Sequence, residues 1–256
     1  MSSLKGKVVA ISGASAGIGL ACAELFARAG CHLVLGARRL ERLEANRERL
    51  MSMGAVSVGC IALDVCTTQS VNAFAAETLR LHKTVDIIFN NAGLAKGSDS
   101  VATGKDADWE AMVQTNILGA LRFVRAFIPG MVAANNGHII NMGSVAGHQV
   151  YVGGAVYAGT KHAVRALTQT LRLELNGTAL RVSSLDPGMV ETEFSVVRFN
   201  DAQKAKDVYK GMTPLTAHDI AETVLFVASR PAHVNIEQMV IMPTDQATVY
   251  KVHRRS

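Results

Sequence analysis

The chain has 256 residues, 49% hydrophobic and 18% charged, with a formal net charge of +5. That length buries a sizeable core, and with no Pro/Ser-rich linker, internal repeat or low-complexity tract, residues 1–256 read as one domain. Basic residues are scattered apart from Lys251-Val252-His253-Arg254-Arg255, without interleaved aromatics, and no uncharged stretch is long enough to span a membrane; nucleic-acid and membrane binding are therefore not expected.

Lys7-Val8-Val9-Ala10-Ile11-Ser12 is a short apolar run with β-branched residues and reads as a buried strand. Gly13-Ala14-Ser15-Ala16-Gly17-Ile18-Gly19 follows at once, and 20–29 reads as a helix stopped at Gly30. Strand, glycine-rich turn and helix together predict a dinucleotide site. Gly13 permits the tight turn, Gly17 and Gly19 let backbone approach a pyrophosphate, and the helix N-terminus offers free N–H groups. The second strand, 32–36, ends at Ala37-Arg38-Arg39. NAD-selective sites usually place a carboxylate there; here two guanidiniums follow an alanine, and they fit a 2′-phosphate, which predicts NADP. The two arginines can also begin a charged helix over 40–53, a reading that suits Arg39 better than Arg38.

Further strands are expected at 56–62, 85–90, 138–142, 181–185 and 238–242, with helices at 109–134 and 156–175. The alternation implies βαβ units and a parallel sheet covered on both faces. Tyr157 and Lys161 stand one helical turn apart and share a face. An ammonium beside a phenol favours the phenolate, which brings tyrosine proton exchange toward neutral pH. Ser144 follows the strand ending at Met142, and its hydroxyl can orient a carbonyl oxygen beside the phenol.

With Gly13, Gly17 and Gly19, Asn90-Asn91-Ala92-Gly93, Asn116, Ser144, Tyr157 and Lys161 in this order and spacing, the chain resembles the short-chain dehydrogenase/reductase family over roughly residues 5–243. The resemblance implies a doubly wound α/β Rossmann fold with about seven parallel strands. It implies that Tyr157 is the acid–base, that Lys161 lowers its pKa and holds the nicotinamide ribose, that Ser144 polarises the substrate oxygen, and that Asn116 supports a proton-relay water. The implied NADP contacts are Gly13, Ser15, Gly17, Ile18, Gly19, Arg38, Arg39, Asp64, Val65, Asn91, Ala92, Gly93, Tyr157, Lys161, Pro187, Gly188, Val190 and Thr192. Asp64 falls near the adenine, while the Val190 backbone and the Thr192 hydroxyl meet the carboxamide. Residues 143–148, 190–199 and 230–236 look like NADP-dependent 3-hydroxy acid dehydrogenases, members of which oxidise serine and related acids or reduce malonic semialdehyde.

A substrate lid is expected at about 189–212, with Arg198 as a bidentate clamp for a substrate carboxylate beside Ser144 and Tyr157. An anionic substrate also accounts for the basic balance. Tyr151 and Met189 are candidate pocket walls, His148 either faces the pocket or is a polar loop residue, and Trp109 anchors the start of its helix. Cys22, Cys31, Cys60 and Cys66 form no Cys-x-x-Cys pair and no histidine cluster completes a metal site, so small apolar residues in a reducing compartment are expected. The N-terminus carries no apolar leader, and a cytoplasmic protein is the default. A tail over about 244–256 has no assigned role. The helices 109–134 and 156–175 carry more apolar surface than one buried face requires, and with the resemblance this implies a homo-oligomer, a tetramer. Two alternatives stay open: a carbonyl reductase for uncharged ketones or acyl thioesters, and a non-catalytic NADP-binding regulator.

Overall fold

The computed structural model describes residues 3–255. In chain order the first elements are β1 (Val8–Ser12), α1 (Gly17–Arg28), β2 (His32–Ala37), α2 (Leu40–Ser52), β3 (Ser57–Ala62), α3 (Thr68–His82) and β4 (Ile87–Asn90). Next come α4 (Asp106–Val113), a π-turn (Gln114–Gly119), α5 (Ala120–Ala134), β5 (Gly137–Met142) and α6 (Ala155–Glu174). The remainder is β6 (Leu180–Pro187), β7 (Val190–Glu191), α7 (Glu193–Phe199), α8 (Ala202–Asp207), β8 (Leu215–Thr216), α9 (Ala217–Ala228) and β9 (Gln238–Ile241).

Seven strands form one parallel sheet in the order β3-β2-β1-β4-β5-β6-β9. Strand order reverses between β1 and β4, which opens a crevice at their carboxyl ends, the place where open α/β sheets bind ligands. The period-two alternation of the strands divides the core. Val9 and Ile11 of β1, Leu33 and Leu35 of β2 and Phe89 of β4 face Phe26 of α1 and Ile220, Val224 and Val227 of α9. Ala10, Val34 and Ile88 face the other way, onto Phe74 of α3 and Phe123 and Phe127 of α5. Those three rings stack edge-to-face or tilted at 5.2–6.1 Å. A parallel sheet covered on both faces is the doubly wound arrangement expected from the sequence.

One expectation needs correction. The helix expected over 109–134 begins three residues earlier and is broken by the π-turn, which carries Asn116. Apolar periodicity continues through the turn, so the pattern does not announce it. α5 then runs on through Pro129, which lacks an N–H to donate to the carbonyl one turn back. The helical run Asp106–Ala134 is long and apolar enough to pass for a membrane span by length and composition, although Arg122 and Arg125 interrupt it, so no uncharged stretch of that length exists there. One of its faces, with Phe123, Val124, Phe127 and Met131, is buried in the core beside the sheet.

Candidate active site

The crevice holds a cleft of about 530 Å³. One end of the cleft is built by the turn between β1 and α1. Gly13 has φ +69°, and a Cβ there would lie 3.0 Å from both Ala92 Cα and Asn91 Nδ2. A Cβ on Gly19 would strike the Gly13 carbonyl, so helix and turn pack too closely for any side chain. Asn91 fastens the turn to β4: its Nδ2 donates to the Ser12 and Gly13 carbonyls at 3.0 and 3.1 Å, and its backbone N–H donates to Ser12 Oγ at 3.1 Å. The first turn of α1 has no side-chain cap and no acidic residue, so its N–H groups and dipole end remain available to phosphates.

Gly13, Ser15, Gly17, Ile18, Arg38, Arg39, Asp64, Val65, Asn91, Ala92, Gly93, Tyr157, Lys161, Pro187, Gly188, Val190 and Thr192 all line this one cleft, as do Ser144 and Arg198. Gly19 lies behind the wall, in the helix–turn contact. Arg38 and Arg39 are exposed at the mouth. Arg39 Nη2 donates to Ser15 Oγ at 3.2 Å, so the second arginine faces the cleft rather than merely starting α2. Two guanidiniums, an uncapped helix start and a floor of close-packed glycines fit a dinucleotide with an extra phosphate.

At the other end of the cleft Tyr157 is buried, and burial drives its phenol well above the ordinary tyrosine value. The Ser144 hydroxyl and the Arg198 guanidinium pull it back. Lys161 is not one of the groups that shift Tyr157, contrary to the expectation from their spacing. Its Nζ sits 5.9 Å from the Tyr157 ring centroid and donates to the Met142 carbonyl at 2.8 Å. Burial pulls the Lys161 ammonium down to about 8, opposed by the Asp186 carboxylate. Desolvation dominates the phenol, and the same burial disfavours the charge of the lysine.

Ser144 caps a short 3-10 turn: its Oγ accepts the Ala146 N–H at 3.1 Å. Asn116, 2% exposed, holds the loop after β4. Its Oδ1 accepts the Leu94 N–H at 2.9 Å, and its Nδ2 donates to the Leu94 carbonyl at 2.8 Å and to Thr160 Oγ1 at 3.0 Å. Asn116 Oδ1 and Lys161 Nζ both face Gly93, where an added Cβ would meet them at 3.4 and 3.8 Å.

Arg198 projects from α7 across the cleft. Its Nε donates to the Gly97 carbonyl at 2.9 Å and its Nη1 to the Tyr151 hydroxyl at 3.1 Å. The guanidinium carbon lies 6.0 Å from the Tyr157 ring centroid. Tyr151 and Met189 are walls, as the sequence suggested. His148 does not line the cleft and is the polar turn residue of the second alternative: its Nε2 meets Asp186 Oδ2 at 2.7 Å, and Gln238 donates to the same oxygen at 2.6 Å.

The tail was not assigned a role in the sequence, yet it closes one side. Gln246 lines the cleft and accepts the Met189 N–H at 2.7 Å, while Val249 lines it further out. Arg255 donates through its backbone N–H to the Gly211 carbonyl at 2.6 Å and through Nη2 to Asp245 at 2.8 Å. Tyr209 ties the 189–212 segment to itself, donating to the Val190 carbonyl at 2.8 Å. These are long-range contacts of ordinary polar residues, and no spacing in the chain marks them.

Similarity to known proteins agrees with this geometry. The NADP-dependent 3-hydroxy acid dehydrogenase of Schizosaccharomyces pombe is 42% identical over 257 residues, covering 100% of this chain and 99% of the relative. The sulfoacetaldehyde reductase of Chromohalobacter salexigens is 43% identical, covering 93% of this chain and 94% of the relative. A closed form of serine dehydrogenase complexed with NADP+ superposes with a TM-score of 0.91 at 39% identity, covering 97% of this chain and 100% of that one. The short chain dehydrogenase family model matches residues 7–203, and the chain belongs to that family.

Proposed function

We propose that the protein is an NADP-dependent oxidoreductase that interconverts a small 3-hydroxy acid and its semialdehyde, with Tyr157 as the acid–base. The observation that carries the substrate class is the Arg198 guanidinium, held inside the cleft above Tyr157 by Gly97 and Tyr151. Those bonds use its Nε and one Nη1 hydrogen, so its remaining N–H groups are left for a carboxylate.

NADP, when bound, supplies the hydride acceptor or donor at the nicotinamide ring. Ser144 Oγ orients the reacting oxygen beside Tyr157 Oη. The phenol gives its proton to a carbonyl oxygen in reduction, and the phenolate takes the hydroxyl proton in oxidation. Lys161 holds the ribose and adds positive charge. Asn116 faces Lys161 across Gly93, and its role is to support a proton-relay water. Arg38 and Arg39 read the 2′-phosphate; Asp64 and Val65 flank the adenine, and Val190 and Thr192 meet the carboxamide.

A sulfonate in place of the carboxylate is a second reading, supported by the 43% identity to a sulfoacetaldehyde reductase. The chain is read as one domain with a lid over 189–212 and a tail over 244–256 that braces it. Exposed Val113, Leu121 and Val132 on the 106–134 run and Leu173 on α6 support a homotetramer. Four unpaired cysteines, Cys22 and Cys31 buried and Cys60 and Cys66 half-buried, support a reducing, cytoplasmic setting.

The test is a steady-state panel of 3-hydroxypropionate, serine and the methyl ester of 3-hydroxypropionate, each with NADP+ and with NAD+. The reading expects turnover of the free acids with NADP+ and poor use of the ester. Equal use of acid and ester sinks the carboxylate assignment, and a preference for NAD+ sinks the cofactor assignment.

A further inference from the structure

The mouth of the cleft carries one contact that neither chemistry nor fold requires. Glu193, the first residue of α7, reaches across to the arginines after β2. Its Oε2 accepts from Arg39 Nη1 and Nη2 at 3.2 Å, and its Oε1 accepts from Arg42 Nη1 at 2.9 Å. Arg39 is therefore shared between Ser15, in the glycine turn, and a carboxylate borne by the lid. Ser15, Arg38, Arg39 and Glu193 all line the same end of the cleft. Arg42 and Arg39 hold the Glu193 carboxyl below the usual range, so it stays ionised at neutral pH.

The charges leave room for a phosphate. Arg38, Arg39 and Arg42 oppose the single carboxylate of Glu193, leaving two positive charges; a phosphate monoester brings about −1.5 to −2. A carboxylate beside that phosphate repels it and competes for the same guanidinium. The lid is close by elsewhere too: a Cβ on Gly17 would meet Thr192, the cap of α7, at 3.4 Å.

We propose that Glu193 is a cofactor-sensing latch: its carboxylate occupies Arg39 until the 2′-phosphate of NADP(H) takes that guanidinium, after which Arg42 alone holds Glu193. The inference rests on reading Arg38 and Arg39 as the 2′-phosphate subsite. A ribose 2′-hydroxyl carries no charge with which to compete, so NAD(H) leaves the Arg39–Glu193 pair closed. Arg198 rides on the same seven-residue helix, whose far end is tied by the Gly97–Arg198 backbone bond at 2.9 Å. Release of the first residue thus reports the 2′-phosphate to the helix that carries the substrate clamp.

Isothermal titration of the full chain with adenosine 2′,5′-bisphosphate and adenosine 5′-monophosphate tests this without turnover. Glu193→Gln and Glu193→Ala should each tighten bisphosphate binding by about two- to fivefold, the span of an exposed ion pair. Monophosphate affinity should stay at the wild-type value. Unchanged or weaker bisphosphate binding in both variants overturns the latch while leaving the subsite standing. If the wild-type protein fails to prefer bisphosphate over monophosphate, the arginine subsite falls and the latch falls with it.

Discussion

Tyr157 is subject to influences of opposite sign. Burial drives its phenol up, while the Ser144 hydroxyl and the Arg198 guanidinium draw it down, and burial wins. A raised acid stays protonated, so the cofactor-free protein should show no tyrosinate absorbance from Tyr157 below pH ~10, the free-tyrosine value. The difference titration between wild type and Tyr157→Phe measures this, and a step in that range would mean that the ammonium of Lys161 outweighs desolvation after all. Lys161, drawn to about 8, loses its charge as pH rises through that value, so its grip on the ribose should weaken above it. Arg198 has a separable role. In the reducing direction, where Tyr157 starts protonated, Arg198→Ala should raise KM for a semialdehyde bearing a carboxylate by about ten- to a hundredfold, the span of a charge-assisted bond. A neutral aldehyde of similar size should barely respond; equal losses on both would demote Arg198 to a lid-folding residue. That Tyr157, Lys161 and Ser144 would meet in one cleft was legible in the sequence, because a helical turn and a strand end set their placement. The electrostatic balance around Tyr157 was not, because it depends on burial and on Arg198, which arrives from 41 positions away.

At the scale of elements, the π-turn between α4 and α5 shows what periodicity misses. An apolar face reads as continuous helix, yet one wide turn is what aims Asn116 at Leu94 and Thr160. π-bulges of this kind occur often at functional sites. Asn116→Ala leaves the Leu94 peptide without its two bonds and Thr160 without its donor. It should cost about 2–3 kcal/mol in urea unfolding, from buried polar groups left unpaired. A loss under half a kcal/mol would show that the loop after β4 is held by something else. The seven strands of the large sheet were legible to within two residues at either end, since buried parallel strands are nearly continuous apolar runs, whereas the two-residue strands β7 and β8 were not. The contacts of Tyr209, Gln246 and Arg255 with the 189–212 segment were not legible, since isolated polar residues reveal their partners only once the chain has folded back.

The whole molecule is one twisted parallel sheet between two helical layers, and its stability carries a signature in acid. His138 on β5 is buried; its Nε2 meets Ser183 Oγ at 2.8 Å, while Nδ1 has no partner. Burial, followed by the Arg181 charge, holds its pKa well below the ordinary 6.5. The unfolded chain therefore binds the proton first, so stability is full above about 6.5 and falls as pH drops below it. The slope is at most about 1.4 kcal/mol per pH unit. His138→Gln should flatten much of that slope between pH 6.5 and 5.5, leaving the smaller contribution of His82, which is also lowered. An identical slope in the variant would place the acid sensitivity elsewhere.

The most direct test of the account as a whole is a paired measurement on Tyr157→Phe, which keeps the ring and removes the proton. NADPH affinity, followed by fluorescence titration, should stay within about twofold of wild type, since the phenol hydroxyl is not needed to hold the phosphates. Turnover of the 3-hydroxy acid should fall by at least ~10²-fold, the usual scale for loss of an acid–base group. Near-normal turnover with NADPH bound would contradict the assignment of proton transfer to Tyr157, and with it the proposed reaction.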